Sequence, residues 1–163
     1  MGKILYLDEK ESFGIEIEES KINAIYHMCK ESFPKETGGI IIGKYSSNLN
    51  RAEVKIVTGA PVDSKCGRTW FHRGTKGLQE LLDEAWDKKG MYYLGEWHYH
   101  PGGTPSPSIH DIVEMNKISK NNAYHCPEPI LLIAVGSPIN NWTLGAFIFT
   151  ANKKQITLKQ QNE

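Results

Sequence analysis

Gly95-Glu96-Trp97-His98-Tyr99-His100-Pro101 is the stretch whose reading decides both fold and chemistry. Preceded by Met91-Tyr92-Tyr93-Leu94, it reads as a strand over 92–100 that ends at a proline. Side chains at i and i+2 of a strand share a face, so His98 and His100 project together while Trp97 and Tyr99 point the other way. Pro101-Gly102-Gly103-Thr104-Pro105-Ser106-Pro107 then excludes regular structure, because three prolines and two glycines interrupt any ladder. Ser108 opens a helix with Ile109, Ile112, Val113 and Ile118 at helical period, and Asp111 stands in its first turn.

Working outward, Ser20 precedes a one-faced helix marked by Ile22, Ile25, Tyr26, Cys29 and Phe33 and stopped by Pro34. Glu36-Thr37-Gly38-Gly39-Ile40-Ile41-Ile42-Gly43 follows, an apolar run suited to a buried central strand with Glu36 at its mouth. Short runs at 3–7 and 13–17 read as an opening hairpin or edge strands, and 52–58 as another strand. Residues 59–74 read as a loop, and 75–89 as a second helix with Leu78, Leu81, Leu82, Ala85 and Trp86 on its core stripe. Strands at 130–135, 142–149 and 155–158 close the chain. The expected architecture is α/β of the α+β type, a mixed, curved central sheet flanked by helices, in one domain over 1–163 with a polar tail fraying from 153 to 163.

Composition narrows the function classes. The 163 residues carry 19 Lys+Arg against 19 Asp+Glu, which gives no field to attract nucleic acid or an anionic membrane. No stretch approaches the roughly 18 apolar residues that span a bilayer, and no signal-like run opens the sequence. Cys29, Cys66 and Cys126 are odd in number and lack CxxC spacing, so reduced cytoplasmic thiols are expected. Cys126 beside His125 reads as an idle buried thiol rather than half of a metal site.

Two His and one carboxylate make the donor set of an open, catalytic zinc site, with His98, His100 and Asp111 as ligands. Water in the open position needs a proton acceptor, for which Glu36 is the candidate, and Ser108 is the candidate donor to an oxyanion. Other readings remain open at this point. A lone HxH pair is commonly incidental, and Ser108 with Asp111 three residues on also fits a capping box. Glu96 shares the histidine face and rivals Glu36 as base, and His110 rivals Asp111 as ligand. Trp70-Phe71-His72 reads as a segment that packs near the site or meets substrate.

Taken together, Glu36, His98-x-His100, ten intervening residues including Pro107-Ser108, and Asp111 resemble the JAMM motif of the JAB/MPN metallopeptidase family. Glu-Thr-Gly-Gly-Ile-Ile-Ile-Gly resembles that family's Glu-strand segment, and the element order resembles its cytidine deaminase-like fold. The resemblance implies Zn2+ held by His98, His100 and Asp111, water activated by Glu36, and an oxyanion stabilised by Ser108. It further implies hydrolysis after the C-terminal glycine of a ubiquitin-like or otherwise conjugated protein whose extended tail reaches the zinc. The compact Gly-Glu-Trp-His-x-His-Pro form resembles stand-alone bacterial members, including those of CBASS anti-phage operons that release a partner conjugated to a nucleotidyltransferase. Processing of small sulfur-carrier proteins or short peptides, and a non-catalytic MPN-like scaffold, are the alternative functions.

Overall fold

The computed structural model describes residues 2–152 and 155–162. In chain order the elements are β1 (Lys3–Leu7), β2 (Gly14–Glu18), α1 (Glu19–Ser32), β3 (Thr37–Tyr45), β4 (Arg51–Val57), β5 (Lys65–Cys66), β6 (Phe71–His72) and α2 (Leu78–Lys89). Then come β7 (Tyr92–Tyr99), α3 (Ile109–Lys120), a short 3-10 turn (Asn122–Tyr124), β8 (Ile130–Ser137), β9 (Asn140–Phe149) and β10 (Gln155–Gln160).

Eight strands close on themselves in the order β1-β10-β9-β8-β7-β3-β4-β2, so the expected curved sheet is a closed barrel. The pairs β2/β4 and β7/β8 are parallel and the others antiparallel. Closure comes from the last expected strand, at 155–158, which extends to Gln160 inside the tail expected to fray. In Gln155-Ile156-Thr157-Leu158 the alternation turns Leu158 inward, where it is 4% exposed, and the strand pairs with both β9 and β1. Residues 153, 154 and 163 of that predicted tail lie outside the described residues.

The two faces of the barrel strands have separate duties. One face of all eight strands packs with Ile22, Ile25 and Cys29 of α1, around Trp97, Tyr99, Ile41 and Leu132. The other face of β3, β7, β8 and β9 is covered by α2 and α3 through Ala85, Met115 and Ile118. Alternate residues of β7 therefore serve opposite layers, which is why Trp97 and Tyr99 are core while His98 and His100 face outward.

This parity is reset once, at Gly95. Its φ of 156° is open to glycine, and a Cβ there would stand 2.0 Å from the Ile130 carbonyl oxygen. The register with β3 shifts between Ile41 and Ile42, a bulge that sends Tyr93 to the same face as Glu96 although they are three residues apart.

Three other local expectations change. Helix α2 begins at Leu78 rather than at 75, because the Asp63 carboxylate accepts the N–H groups of Thr75 (3.1 Å) and Lys76 (3.0 Å) and Gly77 is left-handed. Trp86 is 62% exposed instead of core, since it lies beside the Leu78-Leu81-Leu82-Ala85 stripe and rests against Tyr92. The loop at 59–74 contains the two-stranded ribbon β5/β6.

Leu158→Ala distinguishes a barrel strand from a frayed tail. It is expected to cost about 2–5 kcal/mol in urea unfolding, the price of a core cavity, whereas a frayed position stays within about 0.5 kcal/mol.

Candidate metal centre

Register alone brings Glu36 to the histidines. Thr37 pairs with Tyr99 and Gly38 with His98 across the antiparallel β3/β7 ladder, so Glu36, the residue just ahead of β3, comes opposite His100. His100 lies just past the end of β7, but its N–H still donates to the Ala134 carbonyl at 2.9 Å, which extends the β7/β8 ladder to the site. The Glu36 N–H donates to the Gly67 carbonyl at 2.8 Å, and Glu36 Oε1 is 3.6 Å from His100 Nε2.

Asp111 comes from the helix on the far side of the connector. Its N–H donates to Ser108 Oγ at 3.1 Å and its Oδ2 accepts the Ser108 N–H at 2.8 Å, a complete capping box at the start of α3. The same carboxylate meets both imidazoles, Oδ1 at 2.8 Å from His98 Nδ1 and Oδ2 at 3.2 Å from His100 Nε2. The capping and ligand readings of this segment are thus both satisfied. Ser108 itself is exposed, and its hydroxyl oxygen is engaged by the helix cap while the O–H remains able to donate.

The electrostatics separate two carboxylates by environment. Burial would raise the Asp111 carboxyl, but hydrogen bonds from His100 and His98 overcome that and hold it far below the ordinary carboxylate range. Burial raises Glu36, with His100 only partly offsetting it and Asp111 adding to the rise. Burial lowers the proton affinity of His100, but Asp111 and Glu36 together carry it above the ordinary value. Two imidazole partners reverse the effect of burial at Asp111 and do not at Glu36.

His98, His100 and Asp111 each present a ligand atom, all within 4.8 Å of one another, and this group can hold a metal ion. Tetrahedral bonds of about 2.0–2.1 Å place donors roughly 3.3 Å apart, and the 2.8 and 3.2 Å contacts both lie a little inside that spacing. Two imidazoles and one carboxylate leave a coordination position open, as catalytic centres do.

The rivals are resolved by placement. Glu96, 3% exposed, accepts from Arg73 Nε and from the Tyr93 hydroxyl, each at 2.5 Å, and is consumed by that network. Arg73 also donates to the Gly74 carbonyl and to the Tyr124 hydroxyl. His110 and His72 are exposed and belong to no metal-holding group among the described residues. The Cys126 thiol is buried, donates to the Leu94 carbonyl and is pushed up to about 12 by burial, as suits an idle thiol. Sequence reasoning missed Arg73, one of three cations, with Lys65 and Arg68, in a segment read as a loop. Phe71, read in the sequence as packing near the site or meeting substrate, does pack there: its ring lies 5.7 Å from that of His98 in an edge-on arrangement.

A family model described as prokaryotic homologs of the JAB domain matches residues 18–145. The chain belongs to this family. The JAB resemblance carried by Glu36, His98, His100 and Asp111 is therefore a family membership. A curated relative from Enterobacter hormaechei subsp. hoffmannii, named "CD-NTase/cGAS isopeptidase", is 39% identical over 157 residues, covering 96% of this chain and 87% of the relative. A solution structure of a protein from Desulfitobacterium hafniense matches this JAB chain with a TM-score of 0.57 at 16% identity, covering 90% and 88% of the two chains, and shares the fold.

Arg73→Ala would strand the Glu96 carboxylate in the core. It is expected to destabilise the protein by about 3–5 kcal/mol in chemical denaturation, with Arg73→Ala/Glu96→Gln recovering part of the loss.

Proposed function

We propose that this JAB-family chain is a zinc-dependent isopeptidase that hydrolyses the bond after the C-terminal glycine of a ubiquitin-like or otherwise conjugated protein. The observation that carries the reading is the convergence of His98, His100 and Asp111 donors with a buried Glu36 carboxylate 3.6 Å from one of them. The name of the Enterobacter relative supports a conjugated nucleotidyltransferase as substrate and a setting in CBASS anti-phage defence. Among the described residues no helix is long and apolar enough to cross a membrane.

Zn2+ held by His98, His100 and Asp111 would supply a Lewis acid that polarises the scissile carbonyl and acidifies a water. Glu36 takes one proton from that water as its oxygen bonds to the carbonyl carbon. Glu36 then delivers that proton to the departing amine nitrogen as the C–N bond breaks. Ser108 donates its O–H to the oxyanion that forms in between. Asp111, hydrogen-bonded to both imidazoles, holds them toward one point on the outer face of the barrel.

The test is purified protein assayed for zinc and for cleavage of a ubiquitin-like domain fused through its C-terminal glycine to a nucleotidyltransferase lysine. Glu36→Ala is expected to retain the metal and lose about 10²–10⁴-fold in turnover, and His98→Ala to lose both. Chelator is expected to abolish cleavage and added zinc to restore it. Protein that purifies without zinc and does not take it up, or undiminished turnover in Glu36→Ala, sinks the proposal.

A further inference from the structure

The ribbon β5/β6 and its flanks cross the outer face of the barrel beside the metal centre and touch it at three places. The Gly67 carbonyl accepts the Glu36 N–H at 2.8 Å. Phe71, 8% exposed, presents its ring edge-on to His98 with centroids 5.7 Å apart and planes at 72°. Arg73 is paired with Glu96, two residues before His98 on the same strand face.

The segment is fixed at both ends of this contact. The Asp63 carboxylate accepts the Thr75 and Lys76 N–H groups, Ser64 Oγ accepts the Gly74 N–H at 2.9 Å, and the Gly67 N–H donates to the Trp70 carbonyl at 2.9 Å. Such cross-bonds make it a rigid support rather than a free loop.

The space over Gly38 shows what the support holds. A Cβ on Gly38 would stand 2.4 Å from the Trp97 carbonyl oxygen and 2.9 Å from both His98 Cδ2 and Phe71 Cε2, so the place of the absent side chain is taken by the neighbouring strand backbone and the meeting of these two rings. The carbon edge of the imidazole therefore packs in an apolar niche, while Nδ1, on the opposite side of Cγ, faces Asp111 at 2.8 Å. Turning the ring over would exchange these edges, pressing a nitrogen against the Phe71 ring, giving up the bond from Nδ1 to Asp111 and leaving a carbon against the carboxylate.

We infer that Phe71 is a positioning residue of the metal centre: it locks the His98 imidazole in the orientation that faces Asp111. The inference rests on the metal reading above, and it assigns the ribbon a second duty, since the same strap holds the Glu36 backbone through Gly67. Base and ligand are thereby referenced to one rigid piece.

The experiment measures metal affinity of purified protein by chelator competition with zinc, together with the visible absorption of the cobalt-substituted form, in wild type, Phe71→Ala, Phe71→Leu and Leu158→Ala. Phe71→Ala is expected to bind about tenfold more weakly, as losses of ligand-orienting neighbours do, with an altered cobalt spectrum. Phe71→Leu, which keeps apolar bulk and the fold but lacks the ring edge, is expected to show a smaller loss and an altered spectrum. Leu158→Ala, three strands away in the barrel, is expected to lose stability and bind metal as wild type does. Wild-type affinity and spectrum in both Phe71 variants, or an equal affinity loss in Leu158→Ala, overturns the assignment. Failure of wild type itself to bind zinc or cobalt overturns the metal reading instead.

Discussion

The centre depends on the Asp111 carboxylate, which serves a helix and two imidazoles at once. One oxygen accepts the Ser108 N–H that starts α3 and also meets His100, and the other meets His98. A carboxylate this deeply buried is costly unless every lone pair is used, and here the strand and the helix supply the partners. Helix initiation and assembly of the ligand set are therefore one event. The Pro- and Gly-rich connector between His100 and Ser108 is the path that lets the chain leave β7 and return to it in the correct orientation.

The histidine pair, the capping box and the strand after Glu36 were legible because each follows from local periodicity. The period of two in β7 puts His98 and His100 together, and Ser108 with Asp111 writes a helix start. What periodicity does not carry is which strands meet. Closure of the barrel needs β10 to find β1, partners at opposite ends of the chain, and Gln155-Ile156-Thr157-Leu158 is too short and polar to announce it. The placement of Glu36 against His100 is also a matter of pairing, and only motif resemblance made it visible in advance.

The remaining misreadings share a cause in tertiary rather than local forces. Trp86 belongs to an amphipathic helix but lies at the margin of its buried stripe, where one 100° step decides between core and solvent. Glu96 shares the ligand face by parity, yet the bulge at Gly95 brings Tyr93 to it and the loop brings Arg73. Two-residue strands such as β5 and β6 have no periodicity to read at all. Their order comes from side chains, Asp63 and Ser64, that bond backbone across a gap of ten or more positions.

Closure has a mechanical side. In an open sheet, two neighbouring strands can shear or splay when the rest of the sheet flexes, and distances between side chains on them drift. In a ring of eight paired strands, separating β3 from β7 means breaking hydrogen bonds on a circuit that returns through every other strand. The span between Glu36, just ahead of β3, and the imidazoles at the end of β7 is thus set by the circumference, and the torsions of the Glu36 side chain are the remaining freedom, the one that the proposed proton transfer would use.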